Sequence, residues 1–190
     1  SIQNVCGSVS GTWASGNVYH VNCDITISSG DTLTIEDGVI VRFAQGTSLT
    51  SDGVLNVYGN SGSRVSFESL SPSPLPGDWA NVVLNSAGNS INYLDYNYAT
   101  DGFTGSDASY TSFDNLVMVG TLSLAANGIY LTGYNSNITV SNSFISVAGE
   151  YAIRLPNSNG TLLTTKNLAG GYSVAAIDLS GSSSCTVDNN

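Results

Sequence analysis

The stretch NGIYLTGYNSNITVSNSFISVAGEYAIRLPNSNGTLLTTKNLAGGYSVAAIDLSGSSSCTVDNN, Asn127–Asn190, decides the fold. Ile129, Ile153 and Ile177 follow one another at a step of 24, as do Leu131, Leu155 and Leu179, and Gly128, Ala152 and Ala176. A second column reads Ile138, Leu162, Thr186, and a third begins with Phe144 and Leu168. A fixed period of this size marks a stacked-repeat architecture. Within one period apolar residues sit two apart, as in Ile129 and Leu131 or Ile138 and Val140. That is strand spacing, because residues two apart share one face of a strand. The chain therefore reads as all-β, a parallel β-helix (a solenoid) with about 24 residues and three short strands per turn.

Stacking explains the period. One lap is too short to bury its own apolar side chains, whereas laps about 4.8 Å apart line them up in interior columns. The outward column at the same level reads Tyr130, Arg154, Asp178, so Arg154 and Asp178 are expected as cross-strand neighbours. Working outward, Val41 to Val65 and Phe43 to Phe67 are again 24 apart. Asp37-Gly38, Asp52-Gly53 and Gly59-Asn60 supply tight turns between strands.

Length and composition suit one domain, residues 1–190, with a sizeable core. Residues 1–23 are assigned as a segment capping the first rung, since uncovered strand edges invite foreign pairing. Two protruding loops are expected. One is SPSPLPG, 71–77, which holds three of the four prolines; the other spans 101–112. Four Lys and Arg against 14 Asp and Glu give a net charge of −10. Nucleic acid and anionic membranes, which need basic patches, are poor partners for such a chain. No stretch reads as a membrane-spanning segment.

The three cysteines are Cys6, Cys23 and Cys185. Cys6 and Cys23 flank the first turn and are expected to form a disulfide, which points to an extracellular or cell-surface location. His20 lies near them, but without a CxxC pair a zinc site has little support. Cys185 has no partner in the sequence. Ser1 in place of Met is consistent with a removed export signal. Ser184–Asn190 reads as the start of another lap, to be completed by further repeats of a parent chain or by another molecule. Asn142 with Asn189 or Asn190 could form an Asn ladder.

Candidate chemistry is sparse. Glycoside hydrolysis needs paired carboxylates, and Asp78 with Asp101, 23 apart, is the nearest match to one lap. Polyuronate cleavage would draw on cations, but no two of Arg42, Arg64, Arg154 and Lys166 lie one period apart. No catalytic residue is assigned and the reading leans away from an enzyme. No cofactor is assigned either; the acidic surface leaves a structural Ca²⁺ open, although no EF-hand or nonapeptide loop occurs. Trp79, Tyr93, Tyr96 and Tyr98 are candidates for stacking against a neutral glycan. Asn137 and Asn159 head Asn-x-Thr sequons and are candidate glycosylation sites. No Thr column recurs at 24, which leaves ice binding without support.

DTLTIEDGVIVRF, Asp31–Phe43, resembles the opening rungs of right-handed parallel β-helix repeat proteins of bacterial and archaeal cell surfaces, with Asp37 where Pro is common. GVLNVYGNSGSRVSFES, Gly53–Ser69, is similar to their next rung. GDWANVVL, Gly77–Leu84, is similar to their Gly-Asp-Trp strand, with Asn81 where a second Gly is common. The resemblance implies a right-handed coil and a role as a module of a larger surface or secreted protein. Two functions follow as expectations. One is a non-catalytic structural or adhesive module, partnered by itself end to end as a filament subunit or by more repeats. The other is a carbohydrate-active β-helix that binds or cleaves a neutral polysaccharide.

Overall fold

A computed structural model describes residues 1–119, 122–124, 126–164, 168–170 and 175–188. The chain is an all-β parallel β-solenoid of about seven turns with about 24 residues per turn. Its strands form three rows. The first holds Ile40–Phe43, Val65–Ser69, Leu94–Tyr96, Val117–Val119, Phe144–Ser146 and Leu168–Gly170. The second holds Leu49–Ser51, Val82–Leu84, Phe103–Ser106, Ile129–Thr132, Tyr151–Arg154 and Ala175–Asp178. The third runs from Gly11–Trp13 through Thr32–Glu36 and Val54–Tyr58 to Thr186–Asp188.

One long strand, Val18–Ile27, joins the first two rows. Its front half pairs with Ile40–Phe43 and its back half with Leu49–Ser51. Ile2–Ser8 lies beside this strand and breaks register between Val5 and Gly7. Cys6 sits in that break and is disulfide-bonded to Cys23 at a Cα–Cα distance of 5.0 Å. The bond thus fastens two adjacent laps at a shared corner. Residues 1–23, the expected capping segment, are themselves laps of the coil, and Trp13 stacks on Tyr19 at 4.2 Å within them.

Strand register explains the repeat and corrects part of it. Ile129 pairs with Ile153, and Ile153 with Ile177. Phe144 pairs with Leu168, but the Phe144 side chain is exposed. Leu162 pairs with Thr186, yet its partner on the preceding lap is Thr139 rather than Ile138. Val41 pairs with Phe67 and not with Val65. Turns absorb these slips because only the strands must match. The largest slip joins Val57 to Ile91, well past the end of an ordinary lap, since that lap also carries the exposed loop 71–77. The expected second loop, 101–112, stays on the stack: Phe103–Ser106 is a strand, and Phe103, Ala108 and Thr111 are buried.

Inward residues form one continuous buried cluster from Trp13 to Leu163. Phe43 stacks on Trp79 at 4.1 Å, Trp79 meets Tyr96 at 4.9 Å, Tyr96 meets Phe103 at 5.2 Å and Phe103 meets Phe113 at 5.0 Å. The aromatic run crosses the interior between rows, from Phe43 and Tyr96 in the first to Phe103 in the second and Phe113 in the third, with tilted or edge-on contacts after the first pair. Buried amides serve the corners. Asn89 Oδ1 accepts from Leu55 N at 2.9 Å, and Asn135 Oδ1 accepts from Ala108 N at 2.8 Å. Asn142 is exposed and donates to Asp114, and Asn189 and Asn190 lie outside the described residues.

Two glycines at one corner hold the laps close. A Cβ on Gly102 would overlap the Gly128 carbonyl, and one on Gly128 would overlap the carbonyl of Ala152. Gly128→Ala is therefore expected to lower stability in urea by about 1–3 kcal/mol, the cost of overpacking, while Ala152→Gly should cost less. Replacing both Cys6 and Cys23 with Ala should cost about 3 kcal/mol by loop closure in the unfolded chain, read as a fall in the urea midpoint that matches the effect of a reductant.

Candidate binding groove

The first row presents His20, Arg42 and Glu68 outward as direct neighbours on three successive laps. Alternation with Tyr19, Val21, Val41, Phe43 and Phe67, all buried, fixes their direction. Arg42 Nε donates to Glu68 at 2.8 Å. The 71–77 loop arches beside this column and is pinned at its base. Asp78 Oδ2 accepts from Ser69 Oγ at 2.6 Å and from Leu75 N at 3.0 Å, and Gly77 N donates to Tyr98 O at 3.1 Å. Column, loop and Tyr98 enclose a groove of about 510 Å³, walled by Pro72 and Pro74 and floored by His20, Arg42 and Glu68. His20 Nε2 is buried there with no hydrogen-bond partner. An unsatisfied buried nitrogen costs about 1–3 kcal/mol, so the floor carries an unmet demand for a partner.

Among the four aromatic candidates, burial removes two. Trp79 and Tyr96 are fully buried in the interior run, so neither can meet a ligand. The Trp79 indole donates inward to Asn97 O at 2.7 Å. The Tyr96 hydroxyl contacts Asp101 O and Gly102 O and accepts from Val82 N, and burial pushes its phenol well above the ordinary value. Tyr93 is half-buried with its ring under the Arg64 guanidinium at 5.6 Å. Only Tyr98 belongs to the groove. It holds a φ of 67°, a left-handed conformation that an aromatic residue rarely adopts.

Asp78 and Asp101 face different surroundings. Asp78 anchors the 71–77 loop, while Asp101 opens on a separate depression with Thr104 and Tyr130. Asp101 Oδ1 accepts from Asn127 N at 2.7 Å. Burial raises the Asp101 carboxyl above its ordinary value of 3.8, more than that hydrogen bond lowers it. Arg154 and Asp178 do meet across one lap at 3.1 Å, and Arg154 lies over Tyr130 and Tyr151 at 4.8 and 4.5 Å. At such a half-exposed site the pair contributes roughly 0.2–1 kcal/mol.

Asn137 and Asn159 are both exposed and lie on adjacent laps, joined by Asn137 N to Asn159 O at 2.9 Å. Cys185 is a free, half-buried thiol within 3.2 Å of Ser158 O. Thr26 does stand beside Thr50, at a step of 24, but that column continues with Val83, Thr104 and Tyr130, so no uniform Thr array forms. No group of three or more His, Cys, Asp or Glu is placed to hold a metal among the described residues.

Sequence reasoning missed the His20–Arg42–Glu68 column because it searched for partners at 24, while the true steps are 22 and 26. The outward position in Tyr19-His20-Val21, Val41-Arg42-Phe43 and Phe67-Glu68-Ser69 was the available signal. The chain matches no protein-family model, and comparisons with curated proteins and with solved structures find no match either.

Acid should act on two carboxylates in opposite senses. Burial would raise the Asp114 carboxyl, but hydrogen bonds from Asn142, Ser141 and Asn115 outweigh it and hold the group below 3.8. Its contribution is full above the unfolded value and is lost as pH falls through the lower folded value. Asp101 is raised, so stability grows as pH falls through its folded value and levels off at the unfolded one. Urea unfolding from neutral pH downward should show a shallow rise and then a fall. Asp101→Asn should abolish the rise, and Asp114→Asn should flatten the fall.

Proposed function

We propose that this chain is a non-catalytic structural module of an extracellular or cell-surface assembly, a rod that stacks end to end with further copies or with further repeats of a parent chain. The carrying observation is the open parallel ladder: in each row a strand pairs with the strand one lap before and the strand one lap after, in the same direction, so a further lap can be added without closing the row. Ile2, on Ile2–Ser8, is 63% exposed and Val187, on Thr186–Asp188, 50% exposed. A strand with one open edge and apolar side chains accepts another strand by main-chain pairing. Parallel, head-to-tail addition repeats without closing and so extends the rod.

Other observations support the reading. The interior is consumed by packing, with the aromatic run of Phe43, Trp79, Tyr96, Phe103 and Phe113. The Cys6–Cys23 bond suits an oxidising compartment. The resemblance of Asp31–Phe43 and Gly53–Ser69 to surface β-helix repeats points the same way. Asn137 and Asn159, exposed on one corner, would carry glycans side by side where the source glycosylates such sites.

Electron micrographs and sedimentation of the purified chain at rising concentration test this. Rods longer than one chain should appear and should be lost in an Ile2→Lys, Val187→Lys double variant, whose charged edges oppose pairing. A monomer at every concentration, with both edges free, would contradict self-stacking.

A further inference from the structure

We propose that the groove beneath the 71–77 loop is a binding site for a neutral saccharide, held by Arg42 and Glu68 and covered by Tyr98, Pro72 and Pro74. The inference stands on the groove alone and does not depend on stacking at the rod's ends.

The polar floor offers both kinds of hydrogen-bonding group side by side. Arg42 spends its Nε on Glu68 Oε1, which leaves the Nη donors of a five-donor guanidinium facing the groove region without a partner among the described residues. Glu68 keeps its second carboxylate oxygen as an acceptor. The mutual hydrogen bond fixes both planes, so a ligand meets a preset donor–acceptor pair and need not order it. Vicinal hydroxyls suit this pair, because each hydroxyl both accepts and donates. One can accept from Arg42 Nη while its neighbour donates to Glu68.

The walls suit the rest of such a ligand. Pro72, Pro74 and the Tyr98 side chain present C–H and ring surface, against which the apolar face of a pyranose can lie. A volume of about 510 Å³ is within the range of small-molecule sites. The wall is held rather than loose, through the Asp78 contacts to Ser69 and Leu75. His20, beside Arg42 on the preceding lap, completes the floor, with its Nε2 buried and unpartnered.

Charge selects against acidic ligands. Glu68 lies in the site itself, and the chain carries a net charge of −10. Arg42 is already charge-paired with Glu68, so a uronate carboxylate would meet a neutralised pair within the field of the net negative chain. An extended peptide would gain little, since the strands flanking the groove already pair on both edges and offer no free main chain to match.

The test is a titration of the whole isotope-labelled chain with cellotetraose, maltotetraose, mannotetraose and chitotetraose, followed by amide and Arg Nε resonances. At least one of these sugars should shift Arg42 Nε and the amides of residues 69–72 and Tyr98, at millimolar or tighter affinity. Arg42→Met and Glu68→Gln should each weaken that affinity roughly tenfold. Tyr98→Asn, which tolerates the left-handed backbone, should weaken it as well with the spectrum otherwise preserved. Tyr134→Ser, at an exposed site remote in sequence from the groove residues, should leave it unchanged. Trigalacturonate should bind more weakly than the neutral sugar. The proposal is overturned if none of the four sugars shifts groove resonances, if Glu68→Gln and Tyr98→Asn bind like the parent chain, or if trigalacturonate is preferred.

Discussion

Main-chain pairing between successive laps is the constraint on which everything else rests. Each interior strand of the three rows has its partner one lap before and one lap after, in parallel register, so no lap can exist alone. A single lap would leave both edges unpaired and its apolar residues in water. Pairing fixes the spacing, spacing aligns inward side chains, and alignment produces the buried columns of Ile129 and Ile153 and the ring run from Phe43 to Phe113. Surface chemistry is set by the same ladder. Arg42–Glu68 and Arg154–Asp178 meet because their strands are neighbours in register.

The ladder constrains strands and leaves corners free, and this division explains where novelty enters the chain. A lap can lengthen at a corner without disturbing the pairs on either side. The lap between Val57 and Ile91 does so, and the added 71–77 segment becomes one wall of a groove that combines opposite charges with apolar walls. Corners also tolerate unusual backbone. Tyr93 and Tyr98 both take positive φ there, at 50° and 67°. Tyr93 there holds its ring under the Arg64 guanidinium, and Tyr98 stays half-buried against the core at the edge of the groove.

The fold was legible because interior columns obey a simple rule. Ile-x-Leu recurs at 24 wherever the whole lap keeps its length, as it does from Ile129 to Ile177. The same rule misplaced Val41 against Val65 and Ile138 against Leu162, since single corners change length even inside a lap of constant length, and the sequence does not mark by how much. The groove was illegible for the same reason. Its floor residues are 22 and 26 apart, and its wall comes from a loop whose direction is set by Asp78 and Tyr98. The four aromatic candidates divide between core and surface. A ring in a polar-looking segment, such as Trp79 after Gly77-Asp78, gives no sign that it turns inward and stacks on Phe43.

Contacts between methyl groups across the longest lap test the ladder most directly. A nuclear Overhauser contact between Val57 and Ile91, together with one between Ile129 and Ile153, is the result the stacked register requires. Contacts from Val57 to the segment around Asn81, where an unvarying period would put its partner, with none to Ile91, would contradict it and would remove the alignment that builds both the core and the groove.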